Sequence, residues 1–185
     1  LFRSQVEKAV EDTIRSVFSG PAFSAKTRSE KIKTDLAFNK NKDYLTYIKT
    51  MDASEILPNV VGILEEIKKL PNYKIGLGSA SKNAKLILDQ VGLTKYFDFI
   101  VDGSMVTHGK PHPEGFLLAA AEMNVLPKNC IVFEDAPKGV EAALAAEMFA
   151  VGIGSEDDLG DAHLVMADFS KTTFAEIEEN FLALV

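Results

Sequence analysis

An α/β fold, with a parallel sheet covered by helices on both faces, is predicted by three features of the chain. Beyond residue 70, short apolar runs alternate with segments of helical period. One run, Cys130-Ile131-Val132-Phe133, is apolar without interruption, as a strand buried on both faces must be; a strand with one wet face would alternate. The composition can also fill such a core, because 46% of the 185 residues are hydrophobic and 25% are charged. These values suit one globular domain, or one domain with a small insert, and exclude a disordered chain.

Residues 5–18 set Val6, Val10, Ile14 and Phe18 four apart, the spacing of one buried helical stripe, and Gly20-Pro21 ends the pattern. Residues 27–50 are polar and again helical in pattern, with Ile32, Leu36, Tyr44, Leu45 and Ile48 apolar and a break at Asn39-Lys40-Asn41-Lys42. No strand is expected in the first fifty residues. A helix follows over 58–70, with Pro58 in its first turn. Strands near 74–78, 99–102, 130–134, 148–152 and 163–166 then alternate with helices near 82–92, 114–124, 137–146 and 173–183.

Composition excludes several functions. Asp and Glu number 27 against 20 Lys and Arg, a net charge of −7, and no basic run carries interleaved aromatics, which opposes nucleic-acid binding. No apolar run approaches the ~20 residues of a membrane helix, and Leu1-Phe2-Arg3-Ser4 does not open a signal peptide. We therefore expect a cytoplasmic, soluble monomer with neither nucleic-acid nor membrane partners. Cys130, the one cysteine, cannot form an internal disulfide and reads as a small core residue. Three histidines form no cluster of zinc-site spacing. His108 and His163 read as loop or strand-edge residues, and His112 as a loop residue beside the site. Phe97, Phe99 and Phe116 have core spacing.

Open α/β sheets bind ligands beyond the carboxyl ends of their strands, and three such ends are chemically loaded. Gly78-Ser79-Ala80-Ser81-Lys82-Asn83 brings two hydroxyls and an ammonium to the start of a helix, a turn able to hold a phosphate. Ser81 as a simple helix cap and Lys82 as a solvated charge would give the same string. Gly109-Lys110-Pro111-His112-Pro113-Glu114 is a double-proline loop that would hold Lys110 toward a site, or serve only as a turn. Glu134-Asp135 sets two carboxylates directly after a buried strand, where they ask for a counter-charge. Mg²⁺, which takes oxygen ligands and keeps several waters, suits them; a helix dipole would account for one acid better than for two. A hydroxyl turn, a lysine and an acidic pair at successive strand ends describe a phosphoryl-transfer site.

In these residues the chain resembles the haloacid dehalogenase (HAD) superfamily, and within it the β-phosphoglucomutase group. Ser79 is similar to that family's second-motif hydroxyl, Lys110 to its third-motif lysine and Glu134-Asp135 to its fourth-motif metal acids. The likeness runs through Ser79-Ala80-Ser81-Lys82-Asn83, Gly92-Leu93-Thr94-Lys95-Tyr96-Phe97-Asp98, Lys110-Pro111-His112-Pro113 and Phe133-Glu134-Asp135 to the Glu156-Asp157-Asp158-Leu159-Gly160 stretch, over roughly residues 42 to 185. The resemblance implies a Rossmann-like open parallel sheet (53–185) and a small helical cap (1–52) that closes over a sugar phosphate. It implies a Mg²⁺-dependent enzyme in which an aspartate takes the phosphoryl group, and, for the mutase, transfer between the 1- and 6-positions of glucose through a bisphosphate. Ser79 would bind the transferring group, Lys110 would bridge it to the nucleophile, and Glu134 and Asp135 would hold Mg²⁺. Ala80, Ser81, Lys82 and Asn83 would line or bind the substrate's other phosphate, with Arg28 a candidate grip from the cap, or a solvated helix arginine. A phosphatase, or an inactive protein that holds a phosphorylated ligand, would share the same residues.

Two departures stand out. Ala136 replaces a hydroxyl residue of some relatives, and no Asp-x-Asp follows an apolar strand: Asp12, Asp35, Asp43 and Asp52 all lie in polar or helical surroundings. In the family that strand lies between those ending at Ser79 and at Glu134, and without it buried backbone groups would go unpaired at ~1–3 kcal/mol each. We therefore expect the given sequence to lack the segment that carries the nucleophile. Replacement of the strand by part of residues 1–26 is opposed by their helical period.

Overall fold

A computed structural model describes residues 42 and 44–183. The helix expected over 5–18, most of the segment 27–50 and Arg28 lie outside the described residues. The chain divides into two units, Leu1–Met51 and Asp52–Val185. In the first, residues 44–48 are helical and Ile48 is fully buried.

The second unit opens with α1 (Val60–Lys68), which buries Ile63, Leu64 and Ile67 on one stripe. Leu70-Pro71 follows and stops it, since proline cannot continue the hydrogen-bond ladder. Strand β1 (Gly76–Gly78) pairs in parallel with β2 (Phe99–Val101), Gly76 facing Phe99 and Gly78 facing Val101. Helix α2 (Ala84–Gln90) connects them, burying Ala84 and Leu88, and Gly92 ends it at φ 73°, a left-handed turn that suits glycine. Asp98 locks this half together: its carboxylate accepts the Ile75 amide at 2.8 Å and the Lys68 ammonium of α1 at 2.9 Å. Burial alone would raise the Asp98 carboxyl, but those two donors outweigh it and hold it below its ordinary 3.8.

Helix α3 (Glu114–Glu122) packs on β1. The approach depends on Gly78, where a Cβ would stand 2.9 Å from the Phe116 ring. The chain then forms β3 (Ile131–Glu134), α4 (Pro137–Ala145), β4 (Phe149–Ile153), the short α5 (Glu156–Leu159), β5 (Leu164–Met166) and α6 (Phe174–Leu182). The three strands form a second parallel sheet in the order β3-β4-β5. Period-2 alternation sorts their side chains onto two covered faces. Val132 and Ala150 meet Val140, Ala143 and Leu159 on one, while Phe149 and Val151 meet Ile177 and Phe181 on the other. Pro137 at the first turn of α4, and a capping box between Thr173 and Glu176 on α6, set where those helices begin.

Every strand and helix expected beyond residue 58 is present within a few residues of its expected bounds, and α5 is an additional turn of helix capped by Ser155. The described strands form two parallel sheets, β1-β2 and β3-β4-β5, and the break between them falls where the Asp-x-Asp strand, expected to be absent from the given sequence, would lie. Among the described residues no strand bridges β1 and β3, so the hydrogen-bond ladder is interrupted between them. No helix among the described residues is long and apolar enough to cross a membrane.

Candidate functional site

Ser79 follows β1, its amide donating to Val101 O at 2.9 Å, so the strand pairing continues one residue into the loop. The Ser79 hydroxyl accepts the Ser81 amide at 3.1 Å and the Ser81 hydroxyl accepts the Asn83 amide at 3.2 Å. A hydroxyl has one hydrogen to give and two lone pairs. Each serine uses a lone pair to hold the loop, and neither of these bonds uses its O–H. Gly103 completes the support, donating to Ser81 O at 3.2 Å, and a Cβ there would overlap the Ala80 carbonyl. Ser79, Ser81 and Asn83 are half-buried, whereas Ala80 and Lys82 are exposed. Lys82 adds to the lowering of the Asp102 carboxyl, behind the Ser104 hydroxyl and amide.

Lys110 sits in a tightly tied loop. The Lys110–Pro111 bond is cis and the His112 amide donates to Gly109 O at 3.0 Å. The Glu114 carboxylate accepts the Thr107 amide at 2.8 Å and the His108 amide at 2.9 Å, with the His108 ring Nδ1 at 2.8 Å. The Thr107 amide, then the His108 ring and amide, hold the Glu114 carboxyl at about 2 from an ordinary 4.5. The Lys110 ammonium lies 4.6 Å over the Phe116 ring and donates to Glu134 Oε1.

Glu134 ends β3, and its side chain is 9% exposed. Burial pushes its carboxyl above the ordinary value; Lys110 opposes that shift, and neighbouring Asp135 adds to it. Gly139 in the first turn of α4 makes room, since a Cβ there would overlap the Glu134 carboxylate. Asp135 beside it is exposed.

These elements border a small open cleft. Gly78, Ser79, Ala80, Val106, His108, Gly109, Lys110, His112, Gly115 and Phe116 line it. Ser79, Ala80 and Lys110 thus meet at one cleft, and Lys110 ties it to Glu134. Ser81, Lys82 and Asn83 do not line the cleft but continue its serine turn. The sequence reading set His112 beside the site but did not place Val106, His108 or Phe116 in the cleft. Phe116 lies under the Lys110 ammonium rather than serving only the core, and both His108 and His112 face the cleft. The available signal was position, because His108, His112 and Phe116 flank the Lys-Pro loop within eight residues of one another. Cys130 is half-buried just before β3, and burial raises its thiol, as expected of a packing residue.

A parallel α/β core with a hydroxyl and an ammonium lining one cleft, and a buried carboxylate outside that lining but paired with the ammonium, has the parts of a phosphoryl-transfer protein. The haloacid dehalogenase-like hydrolase family model matches residues 2–147, and the chain belongs to that family. Within it, the chain falls in the β-phosphoglucomutase-like group. It is 36% identical to β-phosphoglucomutase of Bacillus subtilis over 172 residues, 92% of this chain and 75% of that protein. The crystal structure of β-phosphoglucomutase from Clostridium difficile superposes with a TM-score of 0.79 at 40% identity, covering 84% of this chain and 69% of that one. The chain is also 42% identical over 103 residues to fructose-1-phosphate phosphatase of Escherichia coli, 56% of this chain and 54% of the phosphatase. The family likeness begins at residue 2, earlier than the motif resemblance from about residue 42.

Proposed function

We propose that the protein is a Mg²⁺-dependent sugar-phosphate mutase of the β-phosphoglucomutase type, interconverting β-glucose 1-phosphate and glucose 6-phosphate through an aspartyl phosphate. One observation carries the reading: Lys110 lines the cleft beside Ser79 and at the same time donates to the buried Glu134. A lysine so shared can neutralise a phosphate in the cleft and stay ordered when the cleft is empty. The Ser79 O–H is not used in the bond to Ser81 and can donate to a phosphoryl oxygen. Ser81, Lys82, Asn83 and, from a helical cap over residues 1–52, Arg28 would meet the substrate's second phosphate.

The Glu134-Asp135 pair fits Mg²⁺. Its donors are carboxylate oxygens, one preorganised by Lys110 and given room by Gly139, the other open to water and ligand. When bound there, the ion would supply charge neutralisation for the phosphoryl group. The nucleophilic aspartate that this chemistry requires is not among the described residues. An aspartate-bearing strand filling the interval between β1 and β3 would set it between Ser79 and Lys110 on one side and Glu134 on the other.

A phosphatase is the second reading, favoured by the 42% identity to a fructose-1-phosphate phosphatase. The two differ in whether a sugar hydroxyl or water accepts the phosphoryl group. The test incubates the protein with Mg²⁺, β-glucose 1-phosphate and a trace of glucose 1,6-bisphosphate, and in parallel with fructose 1-phosphate. Glucose 6-phosphate without stoichiometric inorganic phosphate identifies the mutase, and phosphate release identifies the phosphatase. Binding of either ester with no turnover identifies a phosphate-binding protein that does no chemistry.

A further inference from the structure

Although the histidines read in the sequence as forming no metal cluster, the loop that carries Lys110 folds His108, His112 and Glu114 onto one another, and the phosphoryl-transfer reading uses none of the three. Each offers a ligand atom within 4.8 Å of the other two. The His108 Nδ1 stands 2.8 Å from Glu114 Oε2 and the His112 Nδ1 stands 3.9 Å from the same oxygen. Ligands of a tetrahedral ion with bonds of ~2.0–2.1 Å are separated by ~3.3–3.4 Å, between those two distances, so the set would close once the His112 ring turns from the Glu114 amide that its Nδ1 accepts at 3.2 Å. The rings already face each other, with centroids 4.5 Å apart and planes 31° from parallel.

The backbone beneath them is held in place. Pro111 and Pro113 fix φ on either side of His112, and Glu114 is anchored by the Thr107 and His108 amides. The imidazoles are 62% and 50% exposed, so an ion can reach them from solvent without opening the fold. Two imidazoles and one carboxylate favour a borderline transition ion over Mg²⁺, which prefers oxygen throughout. Three protein ligands leave a coordination position vacant, and both imidazoles border the cleft shared with Ser79 and Lys110.

We propose that His108, His112 and Glu114 bind one divalent cation of the zinc class at the rim of the cleft, with an open coordination position directed into it. This site is distinct from the Glu134-Asp135 carboxylates, and its existence does not depend on the phosphoryl-transfer reading. An anion entering the cleft would complete the ion's shell, so zinc-class ions and phosphate would bind with mutual dependence.

The experiment titrates the full, tag-free chain with Co²⁺ in saturating Mg²⁺, following the visible d–d absorption, and then displaces Co²⁺ with Zn²⁺. One equivalent should bind with the intense spectrum of a four- or five-coordinate site. His108→Ala, His108→Gln and His112→Ala should each weaken binding by at least ~10-fold, while Asp135→Ala should leave it unchanged. The histidine variants alter exposed side chains, and unchanged circular dichroism would show that their fold is intact. Absence of a saturable site, or a spectrum that survives the histidine changes and disappears with Asp135→Ala, would overturn the proposal. Addition of inorganic phosphate should alter the Co²⁺ spectrum; an unaltered spectrum would overturn the open position facing the cleft.

Discussion

Lys110 and Glu134 form a half-buried pair whose two members have different fates if separated. Without Lys110, the Glu134 carboxylate loses the donor that opposes the raising effect of burial and of Asp135. Lys110→Ala should lower kcat by at least ~10²-fold, the scale of losing one charge-stabilising group. It should also destabilise the fold more at pH 8 than at pH 5. The sign follows from the raised carboxyl: protonation of Glu134 favours the folded state fully below its ordinary 4.5, and that contribution is lost as pH rises through the raised value. Adding Glu134→Gln should restore the melting temperature without restoring turnover, because a neutral amide can be buried without the lysine. Lys82, exposed at the end of the serine turn, should behave differently. Lys82→Ala should raise KM with little change in kcat, as expected of a group that binds a phosphate that is not transferred.

Glu114 provides a titration marker for the same loop. Its carboxyl is held at about 2, so its contribution is present above 4.5 and is lost as pH falls through about 2. The Thr107 amide resonance should follow that titration, and in Glu114→Gln the low-pH shift should disappear. Proximity was legible from residue type after a strand: Ser79 and Lys110 line one cleft, and Lys110 reaches Glu134. It was not legible for His108 and Phe116, whose inclusion in the cleft depends on how a tied loop turns back, which no local periodicity encodes.

At the scale of elements, the central strand β4 and the helix α6 show how little tolerance the second sheet has. Ile177 on α6 is fully buried against Phe149 and Val151. Ile177→Ala should cost about 2–5 kcal/mol, through lost transfer energy and the cavity left behind, and chemical denaturation would measure it. These elements were the most readable part of the sequence. An uninterrupted apolar run such as 130–133 has few places to go except the middle of a covered sheet. Residues 156–159 were harder, because one turn of helix with three consecutive acids has no apolar period to detect, and its capping by Ser155 emerges only from the folded backbone.

Among the described residues of the Asp52–Val185 unit the strands pair in two parallel ladders, and alternation of strands and helices alone could not tell which strands pair with which. Periodicity reports whether a segment is a strand; it does not report its neighbours. The two ladders are unequal. Strands β1 and β2 have three residues each, whereas β4 has five and is paired on both edges. Local opening should therefore require less free energy in the first ladder than in the second. Native-state hydrogen exchange tests this directly: amides of residues 76–78 and 99–101 should exchange well before those of 149–152, and equal rates would contradict it.

That inequality gives the cleft a thermodynamic role. Ser79 extends the shorter ladder by one residue and Glu134 ends a strand of the longer one, while Lys110 reaches from its loop to the second. A phosphate held by both Ser79 and Lys110 would act as a clasp between the two ladders. Ligand occupancy would then be recorded in slowed exchange at β1 and β2, far more than at β4, so the weaker half of the fold would serve as the protein's own reporter of a filled site.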